Sequence, residues 1–203
     1  MYKRQPQNHR LRGNAFYCNA GLSLSLRVIQ QDIIPFSELG FPEFVQKRIL
    51  NDKQGLILVV GPTGQGKSTT LASALQARAT QNNEHVLMLE DPIEYLIPSE
   101  NSIIQQREIG RDARSFKEGL EGAMREDPDV LMVGELRTRE DMADTLTMAE
   151  TGHLVLGTLH TNNAVQTISR ILNSFSSEQR PQIQSQIAAN LYHGYFTAVS
   201  TDH

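Results

Sequence analysis

An α/β fold built on a mostly parallel sheet, with helices on both faces, is what this sequence predicts. Three observations predict it. Apolar runs of strand length recur at Leu56-Ile57-Leu58-Val59-Val60, His85-Val86-Leu87-Met88-Leu89, Asp129-Val130-Leu131-Met132-Val133 and His153 to His160. Segments with helical spacing and helix-start signals alternate with them. The first run leads straight into Gly61-Pro62-Thr63-Gly64-Gln65-Gly66-Lys67-Ser68, which fits the phosphate-binding pattern G-x-x-x-x-G-K-[ST]. Strands that are apolar throughout need cover on both sides, and alternating helices supply it.

Taken in order, Met1 to Asn8 is polar. His9 to Phe16 and Gly21 to Ile29 read as two strands around a turn at Cys18-Asn19-Ala20-Gly21. Leu22, Leu24, Leu26 and Val28 share one face of the second strand and Arg27 lies on the other, while Arg10, Arg12 and Asn14 share a face of the first. A lone hairpin is marginal in water, so the chain is expected to begin inside a domain. Gln30 to Glu38, with Pro35, reads as a linker. Pro42 to Asn51 is expected to be a short amphipathic helix with Phe44, Val45, Ile49 and Leu50 as its apolar set.

The phosphate loop opens a second helix at Thr69-Thr70-Leu71. Short β-like pieces lie between Pro92 and Asp112, and Ser115-x-x-Glu118 signals a helix through Arg125. Thr138-x-x-Asp141 caps another, carrying Met142, Leu146 and Ala149 on one face. Helices over Asn163–Ser174 and Ser177–Asn190 close the pattern. The expected organisation is a partial N-terminal domain over 1–30, a linker over 31–41, and a catalytic domain over 42–203 that is incomplete at its C-terminus.

Composition bounds the function. The 203 residues allow one good-sized core, or one domain plus a piece of another. Net charge of −4, from 19 basic and 23 acidic residues, leaves no general nucleic-acid footprint, and nucleic acid is not expected as a partner. One cysteine, Cys18, excludes an intrachain disulfide and fits a reducing cytoplasm. No apolar run approaches the ~18 residues of a membrane span, so membrane association is expected through a partner.

The site follows from the strand ends. In an open parallel sheet ligands bind at the carboxyl ends of the strands, and Gly61, Glu90, Glu135 and His160 each follow one. The glycines let backbone N–H groups wrap a phosphate, assisted by the N-terminus of the next helix. Lys67 would reach the β- and γ-phosphates of a nucleoside triphosphate, and the Ser68 hydroxyl would sit on Mg²⁺. Glu135 stands where a second acidic motif holds that ion, a place more often filled by Asp. Glu90 reads either as a general base or as a turn feature before Asp91-Pro92. His160 reads either as a γ-phosphate contact or as structural. His153 lies up to ~23 Å away along an extended strand and is taken as structural or as a support behind the site. Arg10, Arg12 and Arg27 are solvated, or reach a neighbour's nucleotide as arginine fingers.

Four stretches together resemble one superfamily. Gly61 to Thr70, Leu89-Glu90-Asp91-Pro92-Ile93-Glu94-Tyr95, Arg125 to Glu135, and Thr151 to Thr161 look like the Walker A, aspartate, Walker B and histidine boxes of the secretion and type IV pilus ATPases. Gln106-Arg107-Glu108-Ile109-Gly110-Arg111-Asp112 and Arg125-Glu126-Asp127-Pro128 look most like the pilus-retraction (PilT-like) branch. The resemblance implies a RecA-like P-loop NTPase domain, preceded by a β-hairpin remnant of a PAS-like domain. It implies ATP and Mg²⁺ as ligands, bound by Gly61 to Ser68 and by Thr69. Carried over, Glu90 becomes the general base, Glu135 the Mg²⁺-supporting acid, and His160 the γ-phosphate contact. Arg12 and Arg27 match arginines presented to nucleotide. It further implies a homohexameric ring acting on an inner-membrane platform protein, cytoplasmic and peripheral to that membrane.

The match runs from about Arg10 to Asn190. Family members carry most of a PAS-like domain before it and further helices after it. Codons for Tyr195-Phe196-Thr197-Ala198-Val199, read one base later, can spell Ile-Ser-Gln-Arg followed by Phe or Leu, the family's continuation. A frameshift near His193 is therefore expected, and sequencing the gene tests it. A motor ATPase is the leading expectation. The alternatives are a truncated remnant or interaction protein that binds nucleotide without productive turnover, a related secretion or conjugation ATPase, and a nucleic-acid motor on the same core, against which the acidic balance argues weakly.

Overall fold

The computed structural model describes residues 10–19, 21–29, 32–191 and 196–198. Its centre is a parallel sheet of β3 (Gly55–Val60), β4 (His85–Glu90), β5 (Ile103–Glu108), β6 (Val130–Val133), β7 (Leu154–Leu159) and the short β8 (Phe196–Ala198). The spatial order is β5-β4-β6-β7-β3-β8. Residues 192–195 and 199–203, on which much of the expected frameshift falls, lie outside the described residues.

Alternation of side chains splits the apolar strands between two cores. Leu56, Leu58, Val60, Leu87, Leu89, Leu131, Val133 and Val155 face one side. There they meet α3 (Phe116–Ala123), α4 (Arg139–Glu150), α5 (Ala164–Asn173) and α6 (Arg180–Leu191) through residues such as Leu120, Leu146, Ile171 and Ile187. Ile57, Val59, Val86, Met88, Val130, Met132 and Leu156 face the other side, against α1 (Glu43–Asn51) and α2 (Lys67–Gln81). At roughly 1.5–3 kcal/mol for each large side chain fully buried, these two layers supply the main drive to fold.

The helices begin where their caps dictate. Thr138 and Asp141 form a complete capping box at α4. Ser115 accepts from the Glu118 N–H, while the Glu118 carboxylate takes the Arg114 N–H rather than that of Ser115. The helix expected to reach Arg125 stops at Ala123. Arg125 N–H tightens onto Gly122 O, and Asp127 takes a left-handed φ of 49° ahead of Pro128, a position from which right-handed helix is disfavoured. The helix expected from Ser177 begins at Arg180, after a turn in which Ser176 O accepts from Gln179 and Arg180.

Phe44, expected in the apolar set of α1, is 63% exposed, because the buried pair is Val45 and Ile49 at i, i+4 spacing and Phe44 lies about 100° round from Val45. Phe36 sits in a 3-10 turn over Phe36–Leu39 and is only 3% exposed, packed with Phe41 at a ring separation of 5.6 Å.

Ahead of this domain, β1 (Arg10–Cys18) and β2 (Gly21–Ile29) form an antiparallel hairpin with Arg12 opposite Arg27. Direct opposition puts the two arginines on one face. Leu11, Leu22, Leu24, Leu26 and Val28 fall on the other, all exposed. Among the described residues no helix is long and apolar enough to cross a membrane.

Candidate nucleotide site

Because β3, β4, β6 and β7 run parallel, their carboxyl ends open on one side, and the expected polar groups meet there. The loop after β3 turns through Gly64 and Gly66, whose φ values of 83° and 76° a side chain would resist. Gly66 then caps α2, and Lys67 is its first residue. The Lys67 ammonium is buried and donates to Gly61 O and Pro62 O, each at 2.8 Å, and to His160 Nδ1 at 3.2 Å. Burial lowers its pKa, against the opposing pull of Glu135 and Glu94. Ser68 stands exposed at the mouth of the loop.

His160 follows β7. Lysine can only donate, so Nδ1 accepts, and the proton sits on Nε2, which donates to Glu135 Oε1 at 3.2 Å. Arg170 fixes the His160 backbone by donating to its carbonyl at 2.9 Å. The other oxygen of Glu135 accepts from Arg137 Nε at 2.8 Å, and Arg137 reaches on to Asp91 Oδ2 at 2.9 Å. A continuous polar chain thus runs from Lys67 through His160, Glu135 and Arg137 to Asp91. His153, at the opposite end of β7, bonds to Thr151 and to Met148 O.

Glu90 ends β4 and is 8% exposed. Gly134 makes room beside it, since a Cβ there would lie 3.2 Å from Leu89 O and 3.4 Å from Glu90 Cα. Gly134 N–H donates to Leu89 O at 2.8 Å, which ties the Glu135 strand end to the Glu90 strand end. Gln106 Nε2 donates to Glu90 Oε1 at 2.9 Å. The hydroxyls of Tyr95 and Thr69 pair at 2.9 Å, joining the segment after Glu90 to the first turn of α2.

Lys67, Glu90, Asp91, Glu135, Arg137 and His160 line a cleft of about 590 Å³, within the usual range for a small-molecule site. Thr63, Gly64, Gly66, Ser68 and Thr69 form its phosphate-loop wall, while Gly61 and Pro62 contribute carbonyls to Lys67. Gln65 belongs to the same loop. Arg12 and Arg27, on the hairpin, line the same cleft. Its basic groups are thus Arg12, Arg27, Lys67 and Arg137, set against Glu90, Asp91, Glu94 and Glu135. Such a mixture suits a polyphosphate accompanied by a cation.

Among the described residues no three His, Cys, Asp or Glu side chains gather as a metal cage. Mg²⁺ needs none, because it keeps several waters and takes phosphate oxygens with one or two protein ligands. The Ser68 hydroxyl and the Glu135 carboxylate are the oxygen donors that fit it, Glu135 through water because Arg137 and His160 occupy its oxygens.

Sequence reading did not single out Arg137, Gln106 or Tyr95 as site residues. Arg137, two residues beyond Glu135, carried a signal in its nearness. The role of Gln106 depends on the pairing of β5 with β4, and that of Tyr95 on its contact with α2.

A family model described as type II/IV secretion system protein matches residues 3–191. The chain is 44% identical over 182 residues to the type IV pilus retractation ATPase PilT of Pseudomonas aeruginosa, covering 90% of this chain and 53% of that one. It is 46% identical over 185 residues to the uncharacterized protein YggR of Escherichia coli, covering 91% and 56%. Among solved structures, the pilus retraction motor PilT with bound ADP superposes with a TM-score of 0.85 at 44% identity, over 89% of this chain and 52% of that one. The chain spans about half the length of these relatives.

Proposed function

The chain belongs to the type II/IV secretion system protein family, and on that premise we propose that it is an ATPase module of the pilus-retraction type. Its fold is that of the P-loop secretion ATPases, and its relatives include type IV pilus ATPases. The observation that carries the reading is the meeting of Lys67, Ser68, Glu90, Glu135 and His160 in one cleft.

In this reading Lys67 and the loop N–H groups hold the β- and γ-phosphates of ATP. Ser68, with Glu135 acting through water, would hold Mg²⁺, and the ion would supply positive charge against the phosphates. Glu90 takes a proton from the attacking water as the bond to the γ-phosphorus breaks on the ADP side. His160 Nε2–H is the donor that can exchange Glu135 for a γ-phosphate oxygen, so the ring can respond to whether that group is present. Arg12 and Arg27 add positive charge from the hairpin side.

Assembly into a homohexameric ring, action on an inner-membrane platform protein, and a cytoplasmic position peripheral to that membrane are parts of the same proposal. So is the division into a hairpin piece over 1–30, a connection over 31–41 and an ATPase domain over 42–203. The relative's name, a retractation ATPase, supports the retraction role.

The test is MgATP hydrolysis over a range of protein concentrations, beside Lys67→Ala. Turnover lost in the variant, and rising per subunit with concentration, supports a working module with shared sites. Absence of turnover, with ATP still raising the melting temperature of the parent chain, supports the second reading of a nucleotide-binding chain without catalysis. No effect of ATP on either measurement refutes both.

A further inference from the structure

We infer that Gln106 is a positioning residue that aims the Glu90 carboxylate, and this inference rests on the reading of Glu90 as the base. The two residues are far apart in sequence. β5 pairs in parallel with β4, with Gln106 beside Met88 and Glu108 beside Glu90. Alternation then puts the side chains of Gln106 and Glu90 on the same face of the sheet, one step apart along the strands.

The orientation of the Gln106 amide is dictated by backbone. Ile97 N–H can only donate, and the atom it meets at 2.9 Å is therefore Oε1. Tyr95 O can only accept, and the atom that meets it at 2.8 Å is Nε2. With both ends of the amide assigned, the second N–H of Nε2 has one place to go, Glu90 Oε1 at 2.9 Å. A flipped amide would set oxygen against oxygen at both Tyr95 and Glu90.

The support behind Gln106 is itself anchored. Glu108 Oε2 accepts from Ile93 N–H at 3.1 Å, and Tyr95 bonds to Thr69 in the first turn of α2. Gln106 therefore ties the direction of the Glu90 carboxylate to the segment 93–97 and, through it, to the phosphate-loop helix. A base must sit within hydrogen-bond reach of its water, and misplacement by about 1 Å can cost ~100-fold in rate. An amide suits the task. It donates to the carboxylate without adding charge beside a polyphosphate.

Lys67, Asp91, Glu94, Tyr95, Glu135, Arg137 and His160 share the cleft wall with Glu90, and Glu108 lies beside it on β5. Arg12 and Arg27 face it from the hairpin. None of them is altered by substitution at 106, so a change in the acid limb of the rate profile reports on Glu90 in Q106L and on the coupled carboxyl pair in Q106E.

The experiment compares the full chain with Q106L, Q106E and E90Q, by MgATP turnover against pH and by carboxyl ¹³C NMR titration of Glu90. E90Q identifies the Glu90 signal. Q106L is expected to lower kcat about 10-fold or more, with KM for ATP changed less than about 2-fold. Q106E puts a second carboxyl against Glu90, and the pair must share a proton. The acid limb and the Glu90 titration should then move up by about one pH unit or more. If Gln106 merely staples the 93–97 segment, Q106L lowers the melting temperature and leaves kcat and the Glu90 titration unmoved.

Loss of turnover in E90Q, with Q106L at parental kcat and the acid limb and Glu90 titration unmoved in Q106E, overturns the positioning role alone. Full turnover in E90Q overturns the base reading and this inference with it. The NMR titration needs no turnover. An unchanged Glu90 midpoint in both 106 variants overturns the inference even where hydrolysis is too slow to measure.

Discussion

Arg78→Met should be among the most destabilising single changes in the chain, although it lies far from the cleft. Arg78 is in the last turn of α2 and is 0% exposed. Its Nε and one terminal nitrogen clasp Glu84 at 3.0 and 2.6 Å, and its guanidinium also donates to Ile49 O at 2.6 Å and Asp52 O at 3.1 Å. One side chain thus joins α2 to the end of α1 and to the start of β4. Removing it leaves the buried Glu84 carboxylate with Lys53 and orphans two backbone carbonyls. Breaking a buried pair from one side costs about 3–5 kcal/mol. The largely exposed Lys53, still 2.8 Å from Glu84, tempers that, so about 3–4 kcal/mol is expected.

For a chain of this size each 1 kcal/mol shifts the melting temperature by about 2–4 °C, which predicts a fall of about 6–16 °C. The double variant R78M/E84M removes both charges and should recover much of the loss, because a buried ion pair replaced by apolar groups is often close to neutral. The chain has no tryptophan, so urea denaturation is followed by far-UV circular dichroism. A loss below about 1 kcal/mol in R78M, or a double variant worse than R78M, would refute the reasoning that desolvation of Glu84 sets the cost.

Other substitutions separate chemistry from stability. Arg137 is half exposed, so Arg137→Ala should change stability by less than about 1 kcal/mol. It should nonetheless lower turnover and raise the Mg²⁺ concentration needed, since Glu135 loses the donor that orients it; an Mg²⁺ titration of the rate checks this. Glu126 is held below the usual carboxylate range by hydrogen bonds from Arg107. A depressed carboxylate stabilises the fold above its ordinary pKa of about 4.3 and loses that contribution as pH falls, so Glu126→Gln should be less stable at pH 7 and converge with the parent in strong acid. Asp144 is displaced upward by burial, with Lys117 opposing and Asp141, Glu121 and Glu140 adding to it. An ionised carboxylate there is a cost above pH ~4, so Asp144→Asn should raise the melting temperature at pH 7, with the gain vanishing below about pH 4.

How much of this was legible in the sequence follows from the range of the interactions involved. The phosphate loop is chain-local: strand, Gly64, Gly66 and Lys67 are adjacent, and the sequence states their geometry almost outright. Glu90, Glu135 and His160 were legible for a different reason. A parallel sheet sends every carboxyl end to one side, so identifying the strands was enough to bring these groups together. The departures came where a local pattern admits two arrangements. Phe44 and Val45 both fit an apolar stripe on α1, and which of them is buried depends on α2.

The wiring between the groups was not legible. β5 reads Ile-Ile-Gln-Gln-Arg-Glu, too polar to announce a strand by its apolar run, because it is an edge strand with less of its surface to bury. Gln106 meets Glu90 only once that strand has paired with β4 in one register. A shift by one residue would put Gln106 on the opposite face, away from Glu90. The proposed reacting groups are therefore written in local motifs, while their aim depends on the register of an edge strand. Substitutions on β5 should accordingly change catalysis at fixed nucleotide affinity, whereas substitutions in the phosphate loop change affinity first.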